Sequence, residues 1–136
     1  RQYGVEHRVR FLGQIEPPRL AALYHAADVI VLPTHKDCFP KVLVEGALAA
    51  KPLVTTTASV APGCLVFHQE NGYVVDPGDV SALAKALEDL TSPHLRLRMG
   101  QKSLELVKEF CNSHTETLGF VKAIKAALAE KKKVLP

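Results

Sequence analysis

The stretch from Asp28 to Thr56, DVIVLPTHKDCFPKVLVEGALAAKPLVTT, decides the fold. It opens with an apolar run, Asp28 to Leu32, of the kind shown by a β-strand that is buried on both faces. A loop from Pro33 to Phe39 and a helix from Pro40 to Ala50 are predicted next, because apolar residues recur there at helical spacing. A second short strand is predicted from Leu53 to Thr56. This order of strand, helix and strand is typical of an α/β protein with a parallel sheet.

The same alternation continues on both sides of that stretch. Further strands are predicted from Val9 to Gly13 and from Tyr73 to Val75. Further helices are predicted to begin at Pro17, at Val80 with Asp79 as the capping residue, at Ser92-Pro93, and at Ser113, the last running to Glu130.

The composition is that of a soluble globular domain. The chain has 136 residues, of which 47% are hydrophobic and 23% charged, and this length fits one domain. The formal net charge is only +3, there is no Trp, and aromatic residues make up 6%. A nucleic-acid partner is therefore not expected. The lysine run at residues 131–133 is interpreted as a solvated chain end.

The cysteines indicate the redox compartment of the protein. Cys38, Cys64 and Cys111 are odd in number and form no CxxC pair, which disfavours a disulfide framework or a zinc ribbon. No apolar run reaches the roughly 18–20 residues that would span a bilayer. We expect a cytoplasmic protein and leave peripheral association with the membrane open. The chain begins with Arg1 rather than Met, which indicates a processed product or an excised fragment.

The chemistry is expected at two loops, residues 33–39 and 55–63, because ligands bind beyond the carboxyl ends of parallel strands. The first loop leads into a helix, whose N-terminus favours an anion. A phosphate group is expected at the main chain of Lys41, Val42 and Leu43. Glycine-rich phosphate motifs are absent from the sequence.

An acidic pair surrounds that helix start. Asp37 lies in the loop, and Glu45 lies about a turn and a half into the helix. Ionised carboxylates accept hydrogen bonds and chelate the vicinal hydroxyls of a sugar or a ribose. The pair therefore indicates a ligand that carries such hydroxyls.

The run from Pro33 to Thr55, PTHKDCFPKVLVEGALAAKPLVT, resembles the donor-binding segment of the group 1 retaining glycosyltransferases. The resemblance continues upstream through VRFLGQ and LAALYHAADVIVLP, and downstream through ENGYVVDPGD and ALAKALEDL, so that it covers roughly Val9 to Gly100. It implies the GT-B architecture, in which two Rossmann-like domains hold a nucleotide sugar between them. Residues 1–136 would be the later part of the C-terminal, donor-binding domain, a three-layer parallel sheet flanked by helices that lacks its first strands.

The resemblance also assigns residues. Asp37 takes the position of a catalytic acid that contacts the transferred sugar, and Glu45 takes the position that binds the ribose. The main chain near the diphosphate would come from Cys38, Phe39, Pro40, Lys41 and Val42. No cofactor or metal is implied, because the nucleotide sugar is itself the substrate. The acceptor, a glycan or a lipid, would be held by a missing N-terminal domain.

The sequence departs from the family pattern in several places. Asp37 stands where the family usually has Glu, and Pro40 replaces a common glycine and cannot donate an N–H. The other departures are Cys38, Gly46, Ala50, Ser59, Val60 and Gly63. The family's donor domain begins with two further strands before the one predicted at Val9–Gly13, and these are missing here. In the family's sheet they lie between this chain's first and second strands, and they carry the cationic residues that neutralise the diphosphate. We therefore expect no catalysis by this chain alone, and either re-pairing of the first strand or self-association that completes the sheet.

Other interpretations stay open at this point. The chain could be a non-catalytic module that binds a nucleotide or a phosphate, or a structural fragment with a vestigial cleft. Glu45 could form an ion pair with Lys41 one turn away, and Asp37 could be a plain loop residue. His35, Asp37 and Cys38 could ligate a metal, or Cys38 could act as a nucleophile with His35 as its base. Ser59 and the threonines at 55–57 could donate hydrogen bonds to a ligand.

Overall fold

The computed structural model describes residues 4–110 and 113–134, with side chains in the last helix described for residues 117–125, 127 and 128. Cys111 and the side chains of residues 131–133 lie outside the described residues. In chain order the elements are a 3-10 turn (Glu6–Arg8), α1 (Pro17–Ala26), β1 (Ile30–Leu32), α2 (Lys41–Leu48), β2 (Leu53–Thr56), β3 (Gly72–Val75), α3 (Val80–Asp89), α4 (Pro93–Phe110) and α5 (Ser113–Val134).

The strands form one parallel sheet in the order β1-β2-β3. Val31 of β1 lies opposite Val54 of β2, and Val54 lies opposite Tyr73 of β3. Since all three described strands run in the same direction, their carboxyl ends meet at one edge, where the loops 33–40 and 57–63 begin. The predicted α/β class with a parallel sheet is confirmed.

Helices cover both faces of the sheet, which gives the three layers that the resemblance implied. Leu53 of β2 points into a core shared with Leu43 of α2 and Val107 of α4. The next residue, Val54, points the other way, into a core shared with Ala86 of α3. Successive side chains of a strand face opposite sides, so β2 is buried on both faces. The prediction of such burial for the run Asp28 to Leu32 is wrong, because β1 is the edge strand of the described sheet and its Val31 is 37% exposed.

The predicted first strand at Val9 to Gly13 is wrong. Residues 9–13 form no strand and follow the 3-10 turn as irregular chain. Their apolar side chains are exposed, and Phe11 is 97% exposed. A strand is stable only when its backbone groups pair with a neighbour, and no described strand runs beside this segment. Re-pairing next to β1 is thus excluded within the single described chain.

The ends of the helices are set by specific backbone and side-chain bonds. Asp79 caps α3 by accepting a hydrogen bond from the N–H of Ala82 at 2.8 Å, as predicted. Helix α2 ends earlier than predicted, because Ala50 adopts a left-handed conformation with φ of 56°. The N–H of Lys51 donates to the carbonyl of Gly46 at 3.1 Å, which completes a Schellman motif. This reversal directs the chain into β2.

Along residues 4–110 and 113–134, none of the helices is both long and apolar enough to cross a membrane.

Candidate functional site

Two loops run side by side at the carboxyl edge of the sheet. The N–H of Asp37 donates to the carbonyl of Ala58 at 3.4 Å, and the carbonyl of Asp37 accepts from the N–H of Val60 at 3.1 Å. Asp37 and Ser59 thereby form a parallel bridge that extends the pairing of β1 and β2 beyond the strands. The two loops that the sequence predicted as ligand-binding are therefore fixed to each other.

Buried hydroxyl groups reinforce this pairing. Thr56 donates its hydroxyl hydrogen bond to the carbonyl of Thr34 at 2.6 Å. Ser59 is 8% exposed, its oxygen lies 3.1 Å from the hydroxyl of Thr55, and it accepts from the N–H of Ala61 at 3.2 Å. Because these groups are buried and already bonded, their observed role is to hold the loops. For Thr55, Thr56 and Ser59, the interpretation that they donate to a ligand finds no support in this arrangement. Thr57 differs, since it is exposed and donates its hydroxyl hydrogen bond to Asp76 at 3.0 Å.

The side chain of Asp37 shapes the turn into α2. Its Oδ1 accepts a hydrogen bond from the N–H of Phe39 at 2.8 Å. Asp37 as a whole residue is half-buried, whereas Cys38 and Phe39 are exposed, with Phe39 at 69%. This bond is an Asx turn, which is the local role of an ordinary loop aspartate, so the loop-residue interpretation of Asp37 stays open.

The N-terminus of α2 is only partly available as an anion site. The N–H of Lys41 donates to the carbonyl of Phe39, and the N–H of Leu43 donates to that of Pro40, both at 2.9 Å. Among the described backbone bonds, the N–H of Val42 has no acceptor. Of the three N–H groups that the sequence predicted for a phosphate, Val42 is the one left unpaired, and Pro40 has none to offer.

Glu45 lines a cavity between α1 and α2. The cavity has a volume of about 280 Å³ and mostly apolar walls. Its lining residues are Pro17, Leu20, Ala21, Tyr24, His25, Glu45, Leu48 and Ala49. Burial, together with the hydrogen bond and the negative charge of Glu45, raises the pKa of Tyr24 to about 12. A single carboxylate at the rim of an apolar cavity suits a ligand with a flat apolar part and a few hydroxyls.

The ion-pair interpretation of Glu45 is not supported. The ion pairs recorded among the described residues join other side chains, and Lys41 and Glu45 do not form one. The interpretation of His35, Asp37 and Cys38 as metal ligands is not supported either. In the part of the chain that the structure describes, no group of three His, Cys, Asp or Glu side chains could hold a metal ion.

The structure separates the two predicted acids into different surroundings. Glu45 belongs to the cavity between the helices, and Asp37 belongs to the paired loops.

A second, larger cavity of about 520 Å³ runs along the free edge of β1. It is apolar and includes Leu12, Leu23, Val31 and Val42 in its lining.

Comparison with known proteins identifies the family. The family model described as glycosyl transferases group 1 matches residues 1–92. The chain belongs to the group 1 glycosyltransferases. A curated relative, D-inositol 3-phosphate glycosyltransferase of Corynebacterium efficiens, is 33% identical over 117 residues, which is 85% of this chain and 27% of the relative. The chain thus spans about a quarter of the length of the curated relative.

Solved structures of group 1 and related enzymes share the fold. The C-terminal domain of a group 1 family protein from Francisella tularensis aligns with a TM-score of 0.74 at 26% identity, covering 82% of this chain and 58% of that one. HepE of Anabaena, solved in complex with UDP-glucose, aligns with a TM-score of 0.78 at 24% identity, covering 92% and 34%. The Rossmann-like, GT-B-type architecture is confirmed.

Sequence reasoning missed Tyr24 as part of the site. The residue was assigned to core packing because it recurs at helical spacing with Leu20, Leu23 and Ala27. It does pack on the core, but it also lines the cavity with Glu45, whose negative charge adds to burial in raising the pKa of the tyrosine. The available signal was a tyrosine, rather than a purely apolar residue, on a helix that precedes the acidic one.

Proposed function

We propose that the chain is the nucleotide-sugar-binding part of a retaining glycosyltransferase that transfers a hexosyl group to a glycan, lipid or small-molecule acceptor. In this proposal residues 1–136 are one C-terminal donor-binding domain without its first strands. The observation that carries it is that Glu45, which the sequence resemblance assigns to the ribose, lines the 280 Å³ cavity. HepE, which shares the fold, was solved with UDP-glucose bound.

The proposed donor runs from Glu45 toward Asp37. The nucleoside occupies the apolar cavity, with its ribose hydroxyls on the Glu45 carboxylate. The diphosphate lies along the start of α2, near the free N–H of Val42 and the main chain from Cys38 to Lys41. The sugar reaches Asp37, which we propose as the catalytic acid position. The donor is a substrate, so no cofactor is required.

The experiment that tests this proposal is titration with UDP, ADP and GDP, followed by ligand-observed NMR, which detects weak binding. Glu45→Ala removes an acceptor of charge-assisted hydrogen bonds, each of which contributes about 1.5–3 kcal/mol, so binding should weaken at least about tenfold. Glu70→Ala is the matched control. Glu70 is exposed and precedes β3, so it lies at the opposite edge of the sheet from the site. Equal affinity of both variants contradicts the proposal.

The same titration separates the alternatives. A module that binds nucleotides without transferring sugars would bind UDP and UDP-glucose equally and would be indifferent to Asp37. A vestigial cleft would bind no nucleotide at all. If the chain binds UDP-glucose more tightly than UDP, and if this preference depends on Asp37, the result supports the transferase.

We propose that these 136 residues alone do not catalyse transfer, because they span only about a quarter of the length of the curated relative. Incubation with UDP-glucose and a panel of glycan and lipid acceptors tests this, and steady turnover would contradict it. Cytoplasmic location stays a prediction, which cell fractionation would check.

Self-association is proposed as a way to complete the sheet. The free edge of β1 leaves the backbone of Ile30–Leu32 unpaired on one side, and Val31 is 37% exposed beside the apolar cavity. Open strand edges of this kind pair with other chains. Sedimentation velocity should show a concentration-dependent dimer that Val31→Lys disrupts, whereas a monomer at every concentration contradicts the idea.

A further inference from the structure

A lysine that follows α2 reaches the C-terminal end of α1. The ammonium of Lys51 donates a hydrogen bond to the backbone carbonyl of His25 at 2.7 Å. His25 lies in the last turn of α1, where the carbonyls have no N–H of their own helix to accept from and carry partial negative charge. The Lys51 side chain therefore caps α1 from a distant segment of the chain.

The backbone of Lys51 is fixed on both sides. Its N–H donates to the carbonyl of Gly46 at 3.1 Å, in the turn that ends α2. The next residue, Pro52, is fully buried, and its carbonyl accepts from the N–H of Ile30 at 3.0 Å. Lys51 itself is half-buried. The ammonium thus extends to α1 from a well-anchored part of the fold.

Helix α1 is less firmly embedded than α2. The structure describes every residue of α1, and none of them is buried, whereas α2 buries Leu43, Gly46 and Ala47. Within the described chain, the N-cap Glu16 makes no capping hydrogen bond with its side chain. A helix with so little burial opens easily, so its position depends on individual contacts. The bond from Lys51 is one of the stronger kind, because its donor is charged.

This bond lies beside the 280 Å³ cavity that we propose for the nucleoside. One wall of the cavity comes from α1 and extends to His25. The other wall comes from α2, with Glu45 in its middle, and extends to the C-cap Ala49. Lys51 follows Ala49 by two residues and binds His25, so it connects the ends of the two walls. The bond therefore controls how closely α1 lies against α2.

We propose that Lys51 is a positioning residue whose ammonium holds α1 against α2 and so keeps the nucleoside cavity in its binding shape. The inference rests on the proposed donor-binding function and deepens it. A nucleoside between the helices contacts both walls, so it binds only while α1 is in place. Loosening of α1 lowers the fraction of molecules that are ready to bind, and the dissociation constant rises by the same factor.

Lys51→Met removes the ammonium and keeps an unbranched apolar side chain. Without any ligand, we expect the amide hydrogens of α1 to exchange faster in this variant, whereas those of α3 keep their rate. The dissociation constant of UDP, measured by ligand-observed NMR, should rise about threefold to tenfold, as the binding-ready fraction falls to between about a third and a tenth of its value in the parent chain.

Two further measurements separate positioning from a merely structural role. Lys51→Arg keeps a charged donor on a long side chain, so it should restore slow exchange in α1 and UDP binding. Saturating UDP should slow the exchange of α1 in Lys51→Met toward the rate of the parent chain, because a ligand that binds only one state stabilises that state. A helix whose position has no part in binding would not respond to UDP.

Lys85→Met is the matched control. The ammonium of Lys85 also binds oxygen acceptors, at 2.9 Å from Asp89 and 3.3 Å from Glu88, but these residues lie on α3, outside the cavity lining. The same chemical group is thus removed at a distance from the proposed site. Its UDP affinity and its α1 exchange should equal those of the parent chain.

The outcomes for this inference and for the donor site differ. Failure of the parent chain to bind UDP contradicts the donor site and overturns the inference with it. If the parent chain binds UDP, an equal dissociation constant for Lys51→Met overturns the positioning role alone. Unchanged α1 exchange in Lys51→Met also overturns that role, because the bond then does not hold the helix.

Discussion

The backbone N–H of Phe39 donates a 2.8 Å hydrogen bond to Oδ1 of Asp37. The same carboxylate that we propose to contact the donor sugar therefore also fixes the turn into α2. A substitution that removes the whole side chain would confuse these two roles. Asparagine separates them, because it keeps an acceptor oxygen at the same place and loses the negative charge.

Asp37→Asn should leave the stability of the chain unchanged within about 0.5 kcal/mol, the usual range for a substitution that keeps its contacts. Its affinity for UDP-glucose should fall about tenfold relative to that for UDP, because a charge-assisted bond to the sugar is lost. Calorimetric titration with both ligands measures this. Asp37→Ala should in addition lower the free energy of unfolding by about 1 kcal/mol. If Asp37→Asn keeps the preference for UDP-glucose, Asp37 does not bind the sugar.

Ala50→Gly should stabilise the chain. Ala50 has a φ of 56°, which costs an L-residue with a Cβ roughly 1–2 kcal/mol and glycine almost nothing. Part of that gain is offset by the greater freedom of glycine in the unfolded state. We expect a net gain of about 0.5–1 kcal/mol in urea unfolding.

Ala84→Gly is the matched control for Ala50→Gly. Ala84 is exposed within α3, and glycine there should destabilise by about 1 kcal/mol. Equal loss of stability at both positions would show that the left-handed strain at Ala50 does not exist in solution.

Asn71 joins three parts of the fold and should be sensitive to truncation. Its side chain is fully buried, accepts from the N–H of Phe67 at 2.7 Å, and donates to the carbonyl of Leu65 and the hydroxyl of Ser103. Asn71→Ala leaves these buried groups unsatisfied, at about 1–3 kcal/mol each. We expect a loss of at least about 3 kcal/mol, a large share of the 5–15 kcal/mol of a typical domain.

Ser103→Ala tests the same hydrogen-bond network with a smaller perturbation. It removes the two bonds of the Ser103 hydroxyl, which accepts from the side-chain amide of Asn71 and donates to its backbone carbonyl, and leaves the other two side-chain bonds of Asn71 intact. Its loss should be about 1–2 kcal/mol. Urea unfolding of both variants, followed by circular dichroism, measures the difference, and equal losses would contradict the network.

The local patterns of the sequence predicted the sheet well because β2 is buried on both faces and β1 reads as an apolar run. The same reasoning failed at Val9 to Gly13, since a segment with a strand-like composition forms a strand only when a neighbouring strand pairs with it. It also extended α2 to Ala50, because the usual end signal is a glycine and this chain has alanine at the left-handed position.

The site was predictable in part. The acid spacing indicated Asp37 and Glu45, and the fold puts one in the paired loops and the other at a cavity. The bridge between Asp37 and Ser59, and the cavity that Tyr24 and Glu45 both line, join segments that are distant along the chain. Helical spacing shows that Tyr24 faces inward, but it carries no information about which carboxylate lines the same cavity.

Tyr24 should make stability depend on pH in the alkaline range. Its pKa in the folded chain, about 12, lies above the ordinary value of 10.0, so the folded state binds this proton more tightly than the unfolded state. The stabilising contribution is therefore complete below pH 10 and is lost as the pH rises toward 12. Urea unfolding at pH 9, 10.5 and 11.5 should show a steeper decline for the parent chain than for Tyr24→Phe. The lysines titrate alike in both proteins, so the difference between the two curves isolates Tyr24. Parallel curves would mean that the tyrosine titrates as it does in the unfolded chain and that Glu45 does not restrain it.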